Sequence, residues 1–146
     1  MRHRMAVAAL ALIGALLSAY LVMYHYGLTG PLICGGAESC ERVQTSRYAM
    51  FLGIPVAVLG LGGYAALLIV ALAGLQERFA TARGPTTLLV ALSGAGVAFS
   101  AYLTYLELFT IHAVCRWCVG SAVVITLILV ASLSGLRGGE KRDAGE

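Results

Sequence analysis

Charge is what this sequence has least of. Acidic and basic residues make up 12% of its 146 positions, 60% are hydrophobic, and mean hydropathy is +0.88. A water-soluble domain of this size needs far more polar surface, so a soluble fold is excluded. No basic stripe with interleaved aromatics is present, and a net charge of +3 is too small for a nucleic-acid binder. Internal repeats are missing. Cysteine is scarce but even in number, with four residues.

What remains is apolar length. A helix needs about 20 apolar residues to cross the hydrocarbon. Four stretches qualify: Met5 to Tyr26, Phe51 to Leu75, Thr86 to Phe109, and Cys115 to Leu136. They are apolar nearly all round, so charges and breakers set their ends better than periodicity does. Gln76-Glu77-Arg78 stops the second, Pro85 suits the start of the third, and Arg137-Gly138-Gly139 ends the fourth. The expected fold is all-α: an integral membrane four-helix bundle over residues 1–136, with a short disordered tail over 137–146. The first stretch has the charged start of a signal peptide. Its apolar run continues to Tyr26 with no A-x-A site, so it reads as a retained helix.

The Lys and Arg residues orient this bundle. One side carries Arg2, Arg4, Arg78, Arg83, Arg137, Lys141 and Arg142, and the other Arg42, Arg47 and Arg116. That puts both termini in the cytoplasm. Cys34, Cys40, Cys115 and Cys118 then all face outward, the oxidising side on which disulfides persist. Small residues four apart, Gly14/Ser18, Gly94/Ala98 and Gly96/Ser100, and the cluster Gly60, Gly62 and Gly63, read as helix-packing positions.

The motif Cys115-Arg116-Trp117-Cys118 leaves few chemistries open. Val119 stands where haem attachment requires His. The five-residue gap between Cys34 and Cys40 is wider than usual for zinc, and an oxidising compartment removes thiolate ligands, so no metal is expected. Two readings stand: structural disulfides in a non-catalytic bundle, or a redox couple. A C-x-x-C disulfide closes too small a ring to stabilise much, which favours the couple. At the first turn of the fourth helix, the unsatisfied N–H groups and the helix dipole favour thiolate. A spacing of three puts both sulfurs on one helix face.

Cys34 and Cys40 in a long first outer loop, "TSRY" with Ser46, "LGIPVAVLG", "AYLTYLEL" and "CRWC" resemble the vitamin K epoxide reductase family, and more closely its bacterial members. The resemblance covers nearly the whole chain. It implies a four-helix bundle in the bacterial inner membrane, with the loop between helices 1 and 2 capping its outer mouth. It implies de novo disulfide generation, in which a partner's dithiol is oxidised and a membrane quinone, such as ubiquinone or menaquinone, is reduced. By resemblance, Cys118 lies beside the quinone and delivers electrons, and Cys115 exchanges with the loop. Cys40 meets Cys115, and Cys34 meets the external protein. By position alone Ser46 reads rather as a helix N-cap for Arg47–Leu52; by resemblance it is also the hydroxyl close to the quinone-side cysteine, and both readings stand. An exported thioredoxin-fold oxidoreductase is the implied partner, since no such domain is fused. The animal enzymes carry an Asn and a Tyr on the vitamin K ring. This chain has no Asn, and Ala122 stands one turn after Cys118, so the resemblance does not carry epoxide reduction over.

Glu107 and His112, near the outer end of the third span, read as interfacial residues with proton transfer as the rarer role. Tyr20, Tyr24, Tyr26, Tyr102, Tyr105 and Trp117 read as an interface belt.

Overall fold

The computed structural model describes residues 2–28, 30, 47, 50–79, 82–112 and 115–144, with side chains through Gly138. Cys34, Cys40, Ser46 and the expected capping loop lie outside the described residues.

Four helices are long and apolar enough to cross a membrane. They are α1 (Arg2–His25), α2 (Val56–Ala73), α3 (Gly84–Leu106) and α4 (Arg116–Ala144). The fold is an all-α membrane bundle, as the composition predicts. Chain direction alternates: the starts of α1 and α3 meet the ends of α2 and α4 at one pole. The core between them joins Val7 and Ala11 of α1, Tyr64, Leu67 and Ala71 of α2, Leu89 of α3, and Ile125 and Ile128 of α4. Close approach is licensed by glycine at two points. A Cβ on Gly14 would fall 2.2 Å from the Tyr64 ring, and one on Gly96 2.8 Å from Ile125. Two buried hydroxyls are satisfied within their own helices: Ser93 Oγ donates to the Leu89 carbonyl at 2.6 Å and Ser132 Oγ to that of Ile128 at 2.8 Å.

Two elements depart from the sequence reading. Residues Phe51 to Pro55 are not the first turn of a membrane helix. Strands β1 (Met50–Phe51) and β2 (Ile54–Pro55) pair antiparallel, Met50 opposite Pro55 and Phe51 opposite Ile54. Leu52 and Gly53 join them with φ of 53° and 81°, the positive pair of a type I′ turn. Met50–Leu52, counted in the short helix that Ser46 would cap, therefore belong to this hairpin, and Pro55 serves as N-cap of α2. At the other end of the chain, α4 continues past Leu136 to Ala144. The added turns hold Glu140, Lys141 and Arg142, residue types of good helix propensity.

Arg4, counted above among the charges that orient the bundle, is buried (4% exposed) at the pole opposite Cys115 and Cys118. Its guanidinium donates to the carbonyls of Gly74, Phe79 (2.9 Å) and Ala82 (2.7 Å) and to Thr86 Oγ1 (3.1 Å). One planar fork thus ties the end of α2, the connecting chain and the start of α3 to α1. Arg4→Met keeps the stem but orphans these acceptors. It is expected to lower stability by about 3 kcal/mol, the scale of losing hydrogen bonds to a buried charged group. Thermal unfolding in detergent checks this, and Arg4→Lys, with a single ammonium, should recover only part.

Candidate functional site

The opposite pole gathers the C-x-x-C. Cys115 is the residue before α4 and is fully buried (0% exposed), packed with Leu21, Tyr20, Tyr24, Ile111 and Trp117. The Tyr20 and Trp117 rings lie 4.9 Å apart, tilted by 46°. Trp117 thus packs inward on α1 rather than serving only as a belt residue. Among the described residues its Nε1 is buried with no partner. Cys118, one turn further, is partly buried and within hydrogen-bonding contact of Cys115.

Between the helices lies a cavity of about 200 Å³. Its wall is mainly apolar, from Leu21, Val56, Leu59, Leu92, Phe99, Leu103 and Ile125, with Gly60 and Gly63 giving it room on α2. Gly63, expected to pack helices, opens onto this space, whereas Gly60 lines it and also packs as expected, since a Cβ there would lie 3.1 Å from Ser18 Oγ on α1. Cys118 reaches the cavity and Cys115 does not. The hairpin contributes to the same region: the Phe51 ring meets the Phe99 ring edge-on at 5.5 Å. One helical turn beyond Cys118 on α4, Ser121 meets Tyr64, whose hydroxyl donates to the Ser121 carbonyl at 2.7 Å and lies 2.8 Å from Ser121 Oγ.

Glu107 is the residue the sequence misplaced. It is 3% exposed, lines the cavity, and its Oε2 accepts the Cys115 backbone N–H at 3.2 Å. Its carboxyl also makes hydrogen-bonding contact with the Cys118 thiol. A wide π-type turn, Glu107–Ile111, follows α3 and ends at His112, which is left-handed (φ 57°) and exposed. This turn carries the chain around so that Glu107 faces the start of α4 instead of the interface. The N–H of Cys115, the residue just before α4, is therefore taken by Glu107. The signal available in the sequence was an acid inside an otherwise apolar span, eight residues before Cys115. Among the described residues no group of three or more His, Cys, Asp or Glu side chains is placed to hold a metal.

A membrane-crossing bundle with a C-x-x-C at the rim of an apolar cavity has the parts of a membrane thiol–disulfide oxidoreductase. The chain matches the model of the Vitamin K epoxide reductase family over residues 5–133. It belongs to that family, whose members are membrane oxidoreductases that act on disulfides and are in general linked to quinones.

Proposed function

We propose that this protein generates disulfides by oxidising the dithiol of an exported thioredoxin-fold protein and reducing a membrane quinone. The observation that carries this reading is the division between the two cysteines of the motif: Cys118 lines the apolar cavity, and Cys115 sits outside it. A flat ring suits such mainly apolar walls, with Cys118 and Glu107 among the polar groups that line them. When bound, the quinone supplies a two-electron, two-proton acceptor.

The chain's own residues do the rest. The partner's dithiol reduces a Cys34–Cys40 disulfide by exchange. The Cys40 thiolate attacks Cys115 of a Cys115–Cys118 disulfide, and Cys118 leaves beside the cavity. Cys34 then closes on Cys40 and frees Cys115. Re-forming the Cys115–Cys118 bond sends two electrons and two protons to the quinone, giving quinol. Each exchange needs an attacking thiolate in line with the bond it breaks. Ser46 is the hydroxyl proposed near the ring. The arginine distribution puts both termini in the cytoplasm and this chemistry on the outer face of a bacterial inner membrane.

The test uses the protein in sealed membrane vesicles of each orientation, supplied with a membrane-impermeant dithiol. Right-side-out vesicles are expected to convert quinone to quinol, and inside-out vesicles are not. Quinone left unreduced in both, with the cysteines permanently paired, is the result expected of a non-catalytic bundle stapled by disulfides.

A further inference from the structure

Oxidising a dithiol with a quinone moves protons as well as electrons, inside a wall of Leu, Val, Phe and Ile. The relay of cysteines accounts for the electrons only. Besides Cys118, two titratable side chains line the described cavity: Tyr64, whose hydroxyl is held by Ser121, and Glu107, which stands next to the sulfur that must lose its proton.

We propose that Glu107 carries the proton from Cys118 to the quinone oxygen, a role that rests on the thiol:quinone reading above. Three observations on this chain support it. The carboxyl is 3% exposed, a cost an acid meets only with partners close at hand. One oxygen is fixed by the Cys115 N–H at 3.2 Å, which sets the group's orientation and leaves acceptor capacity for a second donor. That second donor is the Cys118 thiol. Glu107 therefore touches both the reacting sulfur and the space a ring would occupy, the geometry a general base must have before any question of proton affinity arises.

The step balances as follows. The S–H bond of Cys118 breaks, its proton moves to the Glu107 carboxylate, and its electrons enter the transfer that forms the Cys115–Cys118 bond. Glu107 passes the proton to the quinone oxygen and returns to carboxylate. The Cys115 proton leaves to water at the outer mouth, and a proton from the same water completes the quinol. Two S–H bonds are lost, one S–S bond forms, and one quinone becomes one quinol.

The competing role is purely structural. An acid at the start of α4 favours the helix through its dipole and through the N–H it accepts. Glu107→Gln separates the two, because its amide oxygen still accepts the Cys115 N–H but cannot carry a proton. Protein in lipid, with Cys115 and Cys118 reduced by dithiothreitol, is mixed with a short-chain quinone in a stopped-flow instrument. Wild type and E107Q should share a thermal transition and the same extent of cysteine reduction. E107Q should pass electrons to the quinone about 10²–10⁴-fold more slowly, the range of a lost general base. Should E107Q fail to fold, Glu107→Ala is tested with small molecules that fit the vacated space. Formate should restore rate and formamide should not, since both accept an N–H but only formate carries a proton. A folded E107Q as fast as wild type, or equal rescue by formamide, overturns the role of Glu107. Wild-type protein that reduces no quinone overturns the function beneath it instead.

Discussion

Cys118→Ala is expected to bind quinone and reduce none of it, whatever thiol is supplied. Among the described residues, Cys118 is the cysteine whose side chain lines the cavity, and alanine there removes one sulfur while leaving the apolar walls on α2, α3 and α4 in place. Ring binding drawn from those walls should survive, because pockets of this kind take most of their contact from apolar side chains. Electron delivery should not, because no sulfur remains beside the ring. A loss on the order of 10⁴–10⁶-fold is the scale on which removing a catalytic nucleophile acts. The measurement pairs extraction and quantification of quinone from purified protein with the absorbance of added quinone under dithiothreitol. Continued reduction by Cys118→Ala would move the electron exit to Cys115. That in turn would require the chain around Leu21, Ile111 and Trp117, where Cys115 is now buried, to open toward the ring.

The sequence was most informative where composition alone decides. Four apolar runs in a chain with little charge leave almost no alternative to a spanning bundle, and each expected span overlaps a helix of the structure. It was least informative where apolar residues adopt other shapes. Phe51-Leu52-Gly53-Ile54-Pro55 is as apolar as any helix start, yet Leu52 and Gly53 turn it back on itself with positive φ. A leucine in that conformation gives no turn signal, since asparagine and glycine are the residues that announce it. Gly63 was read as a packing glycine because small residues usually are; which side of α2 opens onto a cavity depends on where α3 and α4 fall. Glu107 shows the same limit from the polar side. Its nearness to a span end suggested solvent, and only the wide turn after Leu106 brings it back onto Cys115 and Cys118. Arg4, likewise, lies at the pole opposite Cys115 and Cys118, but its charge gave no sign of the interior, where three carbonyls from Gly74 to Ala82 await it.

Cys34→Ser and Cys115→Ser should fail in different ways, and the difference tests whether the four cysteines work as two pairs. Without Cys34 the loop cannot hold its own disulfide, so oxidation of a thioredoxin-fold partner should fall to background. The inner pair is untouched by this change. A small dithiol such as dithiothreitol should still reduce it, within about an order of magnitude of the wild-type rate, because exchange needs only access and an in-line thiolate. Access is the step to watch. Cys115 is fully buried, so a small dithiol must part the Tyr20–Trp117 contact or enter from the cavity side at Cys118. Cys115→Ser removes the sulfur with which Cys118 forms its disulfide, and both routes should stop: no electrons from the partner and none from dithiothreitol. Quinol formation is followed with each donor in turn, and the trapped mixed disulfide of Cys34→Ser is sought on non-reducing gels. Equal loss of dithiothreitol-driven turnover in both variants would mean that electrons reach the inner pair only through the loop, and the proposed division of labour would be wrong.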